Sequence, residues 1–196
     1  MKIGLFFGSF NPIHSGHLML AEGVINETDL DQVWFVVTPH NPIKKKGNLL
    51  ADHHRLNMVR DAIHDNLKFR ASDIEFNLPQ PNYTAVTLTY LVEKYPNHTF
   101  SLIVGEDNLR GMNSWYNAEF ILNNFRILIY PRSIQKHETE KTSTPTAEKN
   151  LEFLSNVPAL ELSSSQIRAL IKAEKSIKYM VPVAVERMIT EMGFYR

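Results

Sequence analysis

The chain has 196 residues, with 21 Lys and Arg against 21 Asp and Glu, 43% hydrophobic residues and no cysteine. That length suits one domain that buries roughly 70% of its unfolded surface and needs no staples, and the composition excludes disordered, collagen-like and low-complexity classes. Zero net charge argues against a protein that grips nucleic acid, since counterion release needs clustered Lys and Arg, and the missing cysteines exclude disulfides, thiolate nucleophiles, zinc–thiolate sites and iron–sulfur clusters. The first apolar run, residues 3–7, breaks at Gly8 and is too short for a signal-peptide core. It predicts a strand, and a helix follows from Leu18 to Ile25. A second strand is expected over residues 33–37, then helical periodicity over Leu56, Val59, Arg60 and Ile63, and again over Val86, Leu88, Leu91 and Val92. Residues 100–104 and 126–130 complete four short apolar runs. None alternates with polar residues, which marks strands buried on both faces of a parallel sheet. The polar stretch from Arg132 to Asn150 predicts a mobile surface loop. A short segment over 157–162 leads to a helix beginning near Ser163, and a last helix is expected from Pro182, a favoured first-turn residue, to about Gly193. Strand–helix alternation of this kind predicts a doubly wound α/β sheet, with the C-terminal helices forming a small cap. No stretch approaches the ~20 apolar residues of a membrane span, so a soluble, cytoplasmic protein is expected.

Each apolar strand runs into a polar loop: Gly8-Ser9-Phe10-Asn11-Pro12, Thr38-Pro39-His40-Asn41-Pro42, Gly105-Glu106-Asp107-Asn108, and Pro131-Arg132. In an open parallel sheet, ligands bind beyond the carboxyl ends of the strands, so these loops would converge on one rim. Gly8 lets the backbone approach a ligand, and the helix that follows offers N–H groups and a positive dipole end to phosphate. His14 and His17 stand three apart and share a face on the first helical turn. Two imidazoles there would hydrogen-bond phosphate oxygens and stabilise a five-coordinate phosphoryl centre. A metal pair and a cap with a packed histidine are the competing readings. No third His or carboxylate is placed nearby, so no resident metal is expected. Late in the chain, Leu162-Ser163-Ser164-Ser165-Gln166-Ile167-Arg168 reads as a capping box, Ser163 with Gln166, that leaves the hydroxyls of Ser164 and Ser165 free with Arg168 one turn on. Serine hydroxyls, a helix start and a guanidinium make a phosphate receptor; a plain helix start with a surface arginine is the bland alternative. Arg132 is a further candidate for phosphate. His53 and His54, adjacent at a helix start, are expected to point different ways and receive no function.

The segment from Gly8 to His17 closely resembles the GxFxPxHxGH signature of the nucleotidyltransferase superfamily, and Leu162 to Arg168 resembles its ISSTxIR motif. Asn82-Tyr83-Thr84-Ala85-Val86-Thr87-Leu88 is similar to the PSYTxxTL motif of nicotinate-mononucleotide adenylyltransferases, and Gly105 through Trp115 to their GxDxLxxLxxW motif, with Met112 in place of a leucine. The resemblance runs from Lys2 through Arg168, and Tyr179-Met180-Val181-Pro182 matches the family's C-terminal run. It implies a Rossmann-like domain over 1–196, with a core to about 162 and a helical part from about 163. It implies transfer of AMP from ATP to nicotinate mononucleotide by in-line attack, giving deamido-NAD and pyrophosphate, with Mg²⁺ accompanying ATP. His14, His17, Arg168 and Lys44 would be catalytic, Lys44 standing where the family has a basic residue that reaches ATP phosphates. Gly8, Ser9, Phe10, His17, Gly105, Asp107, Ser163, Ser164 and Arg168 would bind ATP. Tyr83 and Thr84 at the pyridine carboxylate, Trp115 on the ring and Arg132 would bind the acceptor. Small-molecule partners are implied, with neither nucleic acid nor membrane, and a homo-oligomer is left open. The same transfer to nicotinamide mononucleotide or phosphopantetheine is the nearest rival, and a non-catalytic nucleotide-binding regulator is another. A tRNA-charging enzyme shares a related histidine motif, but the chain is too short for an anticodon-reading domain. Neither a Walker GxxxxGK[ST] loop nor a GxGxxG fingerprint is present.

Overall fold

Continuous apolar runs become central strands because helices cover both faces of the sheet. The computed structural model describes residues 1–39, 49–131, 150–158 and 160–196. Its strands are β1 (Lys2–Gly8), β2 (Gln32–Val37), β3 (Phe69–Ser72), β4 (Thr99–Gly105), β5 (Arg126–Tyr130) and β6 (Leu151–Phe153). All pair in parallel, in the order β3-β2-β1-β4-β5-β6. Leu5 of β1 lies beside Trp34 of β2 and Leu102 of β4. The helices are α1 (Ser15–Glu27), α2 (Asp52–Ile63), α3 (Thr84–Lys94), α4 (Glu106–Gly111), α5 (Ala118–Asn124), α6 (Ser164–Lys172) and α7 (Val183–Met192). The order makes this a Rossmann-like sheet, and the chain reverses direction across it between β1 and β4. None of the described helices is long and apolar enough to cross a membrane.

Two hydrophobic clusters follow from the two-residue period of the strands. Phe6, Phe35, Val37 and Leu128 face α1, α2, α6 and α7, so Ile167, Val185 and Ile189 share a core with Ala21, Val24 and Met58. Leu5, Trp34, Val36 and Ile129 face the other way, onto Leu88 and Leu91 of α3, Leu109 of α4 and Ile121 of α5. The four runs expected as strands are β1, β2, β4 and β5. The sequence reading missed β3 and β6, the two edges, of four and three residues. An edge strand carries exposed side chains, here Arg70 and Phe153, and so lacks the apolar run that betrays a central one.

The helices fall where periodicity put them, with corrections. In α3 the buried residues are Ala85, Thr87, Leu88 and Leu91, whereas Val86 and Val92 are exposed. Thr87 goes inward because its hydroxyl donates to the buried Glu75 carboxylate at 2.8 Å. In α2 it is Arg55 that is buried, and Arg60 lies at the surface 3.8 Å from Asp73. Pro182 caps α7 rather than opening it, and Gly193 ends the helix at φ 64°, a left-handed value suited to glycine. The expected loop, Arg132 to Asn150, lies outside the described residues but for Asn150, whose side chain donates to Leu122 O at 2.9 Å, and Lys44 lies outside them too.

Candidate active site

At the carboxyl end of β1 the chain makes the loop Gly8 to His14 before α1 begins. Each of four loop carbonyls is engaged from elsewhere in the chain. The Thr38 N–H donates to Gly8 O at 2.9 Å, Arg55 Nη1 to Ser9 O at 2.5 Å, Arg168 Nη1 to Asn11 O at 2.6 Å, and the Ser164 hydroxyl to Pro12 O at 2.9 Å. Thus two motifs about 150 residues apart are joined by direct hydrogen bonds, 152 and 157 positions apart in sequence. With these four carbonyls tied back, their negative dipole ends are engaged within the chain.

The corresponding cost falls on hydroxyls that were expected to be free. Ser163 is the N-cap of α6: its Oγ accepts from Gln166 N at 3.2 Å, and its own N–H donates to Gln166 Oε1 at 2.9 Å, the capping box read from sequence. Ser164 is held by Pro12, and Ser165 Oγ accepts from Arg168 Nη2 at 3.2 Å. These serines build the junction, and Arg168, half-buried between Asn11 and Ser165, is the cation it fixes in place.

The two histidines stack, with ring centroids 3.6 Å apart at 25°. The His14 N–H donates to His17 Nδ1 at 3.2 Å. A backbone N–H can only donate, so Nδ1 is the acceptor and a neutral His17 carries its proton on Nε2. Phe10 meets His17 edge-on at 5.1 Å and is itself buried. Its ring also explains Gly8, where a Cβ would lie 2.8 Å from Phe10 Cζ. The space a Cβ at Gly8 would take is filled by Phe10, and Phe10 supports His17 from the core. Burial holds the His14 imidazole down at about 4, so it is neutral at physiological pH. Its Nδ1 is buried and has no hydrogen-bond partner among the described residues.

Across the switch point, Gly105 ends β4 and Asp107 sits in the first turn of α4. A Cβ at Gly105 would stand 2.6 Å from Asp107 Oδ1 and 3.2 Å from the Tyr130 ring, so only glycine lets that carboxylate fold back over the strand end. The acceptor motifs lie farther along. Tyr83 occupies the N-cap position of α3 with no side-chain cap, and Thr84 is the first helical residue. Tyr83 faces Tyr116, with centroids 4.8 Å apart and planes at 32°, which brings the segment after Trp115 to the start of α3. Trp115 is half-buried and packs on the cluster that holds Met112 and Leu109.

Sequence reasoning missed three residues here. Arg55, fully buried, donates to the carbonyls of Leu50, Ser9, Thr38 and Pro39 and meets the Asp52 carboxylate at 2.6 Å. It joins the β1 and β2 loops to α2. Glu75, also buried, accepts from the Thr87 and Thr38 hydroxyls, and burial raises its carboxyl above the usual range. Asn82 Nδ2 donates to the main-chain oxygen of Glu75 at 3.0 Å, so Glu75, through its carboxyl and its carbonyl together, ties the end of β2 to the residues around Tyr83. Tyr116 is the third. A charge in a helical or turn pattern ordinarily means solvent, and only the carbonyls around Arg55 reveal otherwise. His53 and His54, expected to diverge, lie with ring centroids 3.9 Å apart, and His54 rests on Phe194 at 4.8 Å.

This fold and this junction define a class, the α/β nucleotidyltransferases. The model of the cytidylyltransferase-like family matches residues 5–170. A relative in Cytophaga hutchinsonii, named "Probable nicotinate-nucleotide adenylyltransferase", is 50% identical over 195 residues, covering 100% of this chain and 98% of its own. One of the same name in Flavobacterium johnsoniae is 50% identical over 197 residues, with 100% of both chains covered. The chain therefore belongs to the cytidylyltransferase-like family, in its nicotinate-nucleotide adenylyltransferase branch. Among solved structures, Plasmodium falciparum nicotinic acid mononucleotide adenylyltransferase complexed with NaAD superposes with a TM-score of 0.79 at 24% identity, over 99% of this chain and 97% of that one. A second structure of that protein, complexed with APC, gives 0.78 at 23% identity over 99% and 96%. At that identity the likeness shows the fold.

Proposed function

We infer that the protein is an enzyme that transfers AMP from ATP to nicotinate mononucleotide, releasing pyrophosphate and forming deamido-NAD. The observation that carries this reading is the direct bonding of the Gly8–His17 segment to Ser164 and Arg168 at the carboxyl end of β1, in a chain whose relatives bear that name. The acceptor's phosphate is already ionised, so a general base is not required, and the protein's task is alignment and charge stabilisation. His17 would donate from Nε2, and Arg168 would supply the fixed cation. Neutral His14 would act as a hydrogen-bonding group whose affinity for a proton rises when phosphate binds. Lys44 and Arg132 stay candidates for the same phosphates. Tyr83, Thr84 and Trp115 would hold the pyridine ring and carboxylate, with Tyr116 closing the side of Tyr83.

Among the described residues no three His, Cys, Asp or Glu side chains form a metal-binding group. Mg²⁺ would accompany ATP, where it would neutralise charge on the phosphates. The absence of cysteine supports placing the enzyme in the cytoplasm. The test is pyrophosphate release from purified protein with ATP and Mg²⁺, offered nicotinate mononucleotide, nicotinamide mononucleotide and phosphopantetheine in turn. Preference for the first is expected. Preference for another acceptor would overturn the pocket assignment, and ATP binding without release would favour a regulator.

A further inference from the structure

The chain's penultimate residue reaches into the phosphate site. The Tyr195 hydroxyl donates to Asn11 Oδ1 at 2.8 Å, 184 positions away in sequence. Asn11 is buried, and the same oxygen accepts from Leu50 N at 3.2 Å. The main-chain oxygen of Asn11 is the one held by Arg168. Burial pushes the Tyr195 hydroxyl well above its ordinary range and keeps it a donor, and the nearby charges of Arg168 and Arg55 offset this only in part. One small group of atoms thus joins the first motif, the second motif, the buried arginine and the C-terminus. Two backbone features mark the contact. Tyr195 stands at φ 67° and Phe10, beside Asn11, at φ 43°, left-handed values that bulky residues seldom adopt. Such conformations persist where the surroundings fix them. Tyr195 follows the turn at Gly193, and its neighbour Phe194 packs on His54 of α2, so the turn is anchored on both sides.

We propose that Tyr195 is a positioning residue: its hydroxyl fixes the Asn11 amide, and through it sets the Gly8–His14 loop against Arg168 in the geometry that receives the nucleotide's phosphates. The last residues of the chain are then part of the nucleotide site rather than a tail. The proposal rests on the adenylyltransferase reading above. It separates two kinds of effect. A residue that merely stabilised the fold would weaken both substrates in step with stability, whereas Tyr195 acts on the loop that faces ATP and is remote in the network from Tyr83 and Trp115.

The test compares the full chain with Tyr195→Phe, which keeps the ring and removes one oxygen. The readouts are the ATP dissociation constant by calorimetry, KM for the acceptor in turnover, and the melting temperature. Loss of one buried hydrogen bond predicts ATP affinity weaker by about five- to tenfold, with acceptor KM within about twofold. In an Asn11→Leu background, removing the hydroxyl should add no further loss, because its partner is gone; should that variant not fold, the single comparison still decides. Unchanged ATP affinity, or ATP and acceptor weakening together with stability, would overturn the proposal. Wild-type protein that binds ATP but releases no pyrophosphate would refute the adenylyltransferase reading alone, since the ATP affinities still judge Tyr195.

Discussion

The two halves of the site are built differently. In the phosphate half, carbonyls of Gly8, Ser9, Asn11 and Pro12 are held by Thr38, Arg55, Arg168 and Ser164, and His17 is locked by His14 N–H and Phe10. In the acceptor half the hydrogen bonds lie behind the ring, at Glu75 with Thr38, Thr87 and Asn82, and Tyr83 itself meets Tyr116 through ring contact at the start of a helix without a side-chain cap. Hydrogen bonds fix direction, while ring faces tolerate sliding. On the proposed function, preorganisation is concentrated where charge would develop, and adaptability where the acceptor would be chosen. That division matches a reaction whose phosphoryl geometry is fixed while acceptors differ by one carboxylate or amide.

The largest way to break this contrast is at His17. His17→Ala should lower turnover by about 10²- to 10³-fold, the scale for losing one transition-state donor, with acceptor KM little changed. Steady-state pyrophosphate release measures it, and a variant near wild-type turnover would remove His17 from the chemistry.

A smaller effect follows from His14. Its imidazole is held at about 4 in the fold against an ordinary 6.5. The unfolded chain therefore takes up a proton first as pH falls, and the fold loses stability between pH 6.5 and 4. The loss should total about 3 kcal/mol, flattening above 6.5. Chemical denaturation across that range measures it. Substitution of His14 by Gln should remove this slope, and saturating ATP should reduce it, because phosphate favours the imidazolium.

Much of the fold was legible because the central strands are long and apolar on both faces, and the motif loops follow them directly. The edges were not. β3, read Phe-Arg-Ala-Ser, and β6, read Leu-Glu-Phe, offer too few buried positions to stand out from loop. In the site, the order of the histidine and serine motifs was visible in the sequence, as was the Ser163–Gln166 capping box. What the serines bond to was not. Ser164 finds its partner 152 positions away, and Arg55 turns inward toward carbonyls that belong to three other segments. A single sequence holds no signal for a backbone carbonyl that gathers at a distance. Tyr195 was illegible for the same reason: near a chain end an aromatic reads as tail, and only the fold brings it to Asn11.

If the bonded and the adaptable half serve different substrates, a crossed measurement on one variant from each separates them. ATP affinity and acceptor KM are determined for Arg168→Ala and for Tyr116→Ala. Arg168→Ala should weaken ATP by about tenfold or more, the scale of a lost charge-assisted bond, and leave the acceptor within about twofold. Tyr116→Ala should do the reverse, raising acceptor KM by about three- to fivefold, as expected for one aromatic pair. Equal losses on both substrates in either variant would contradict the division.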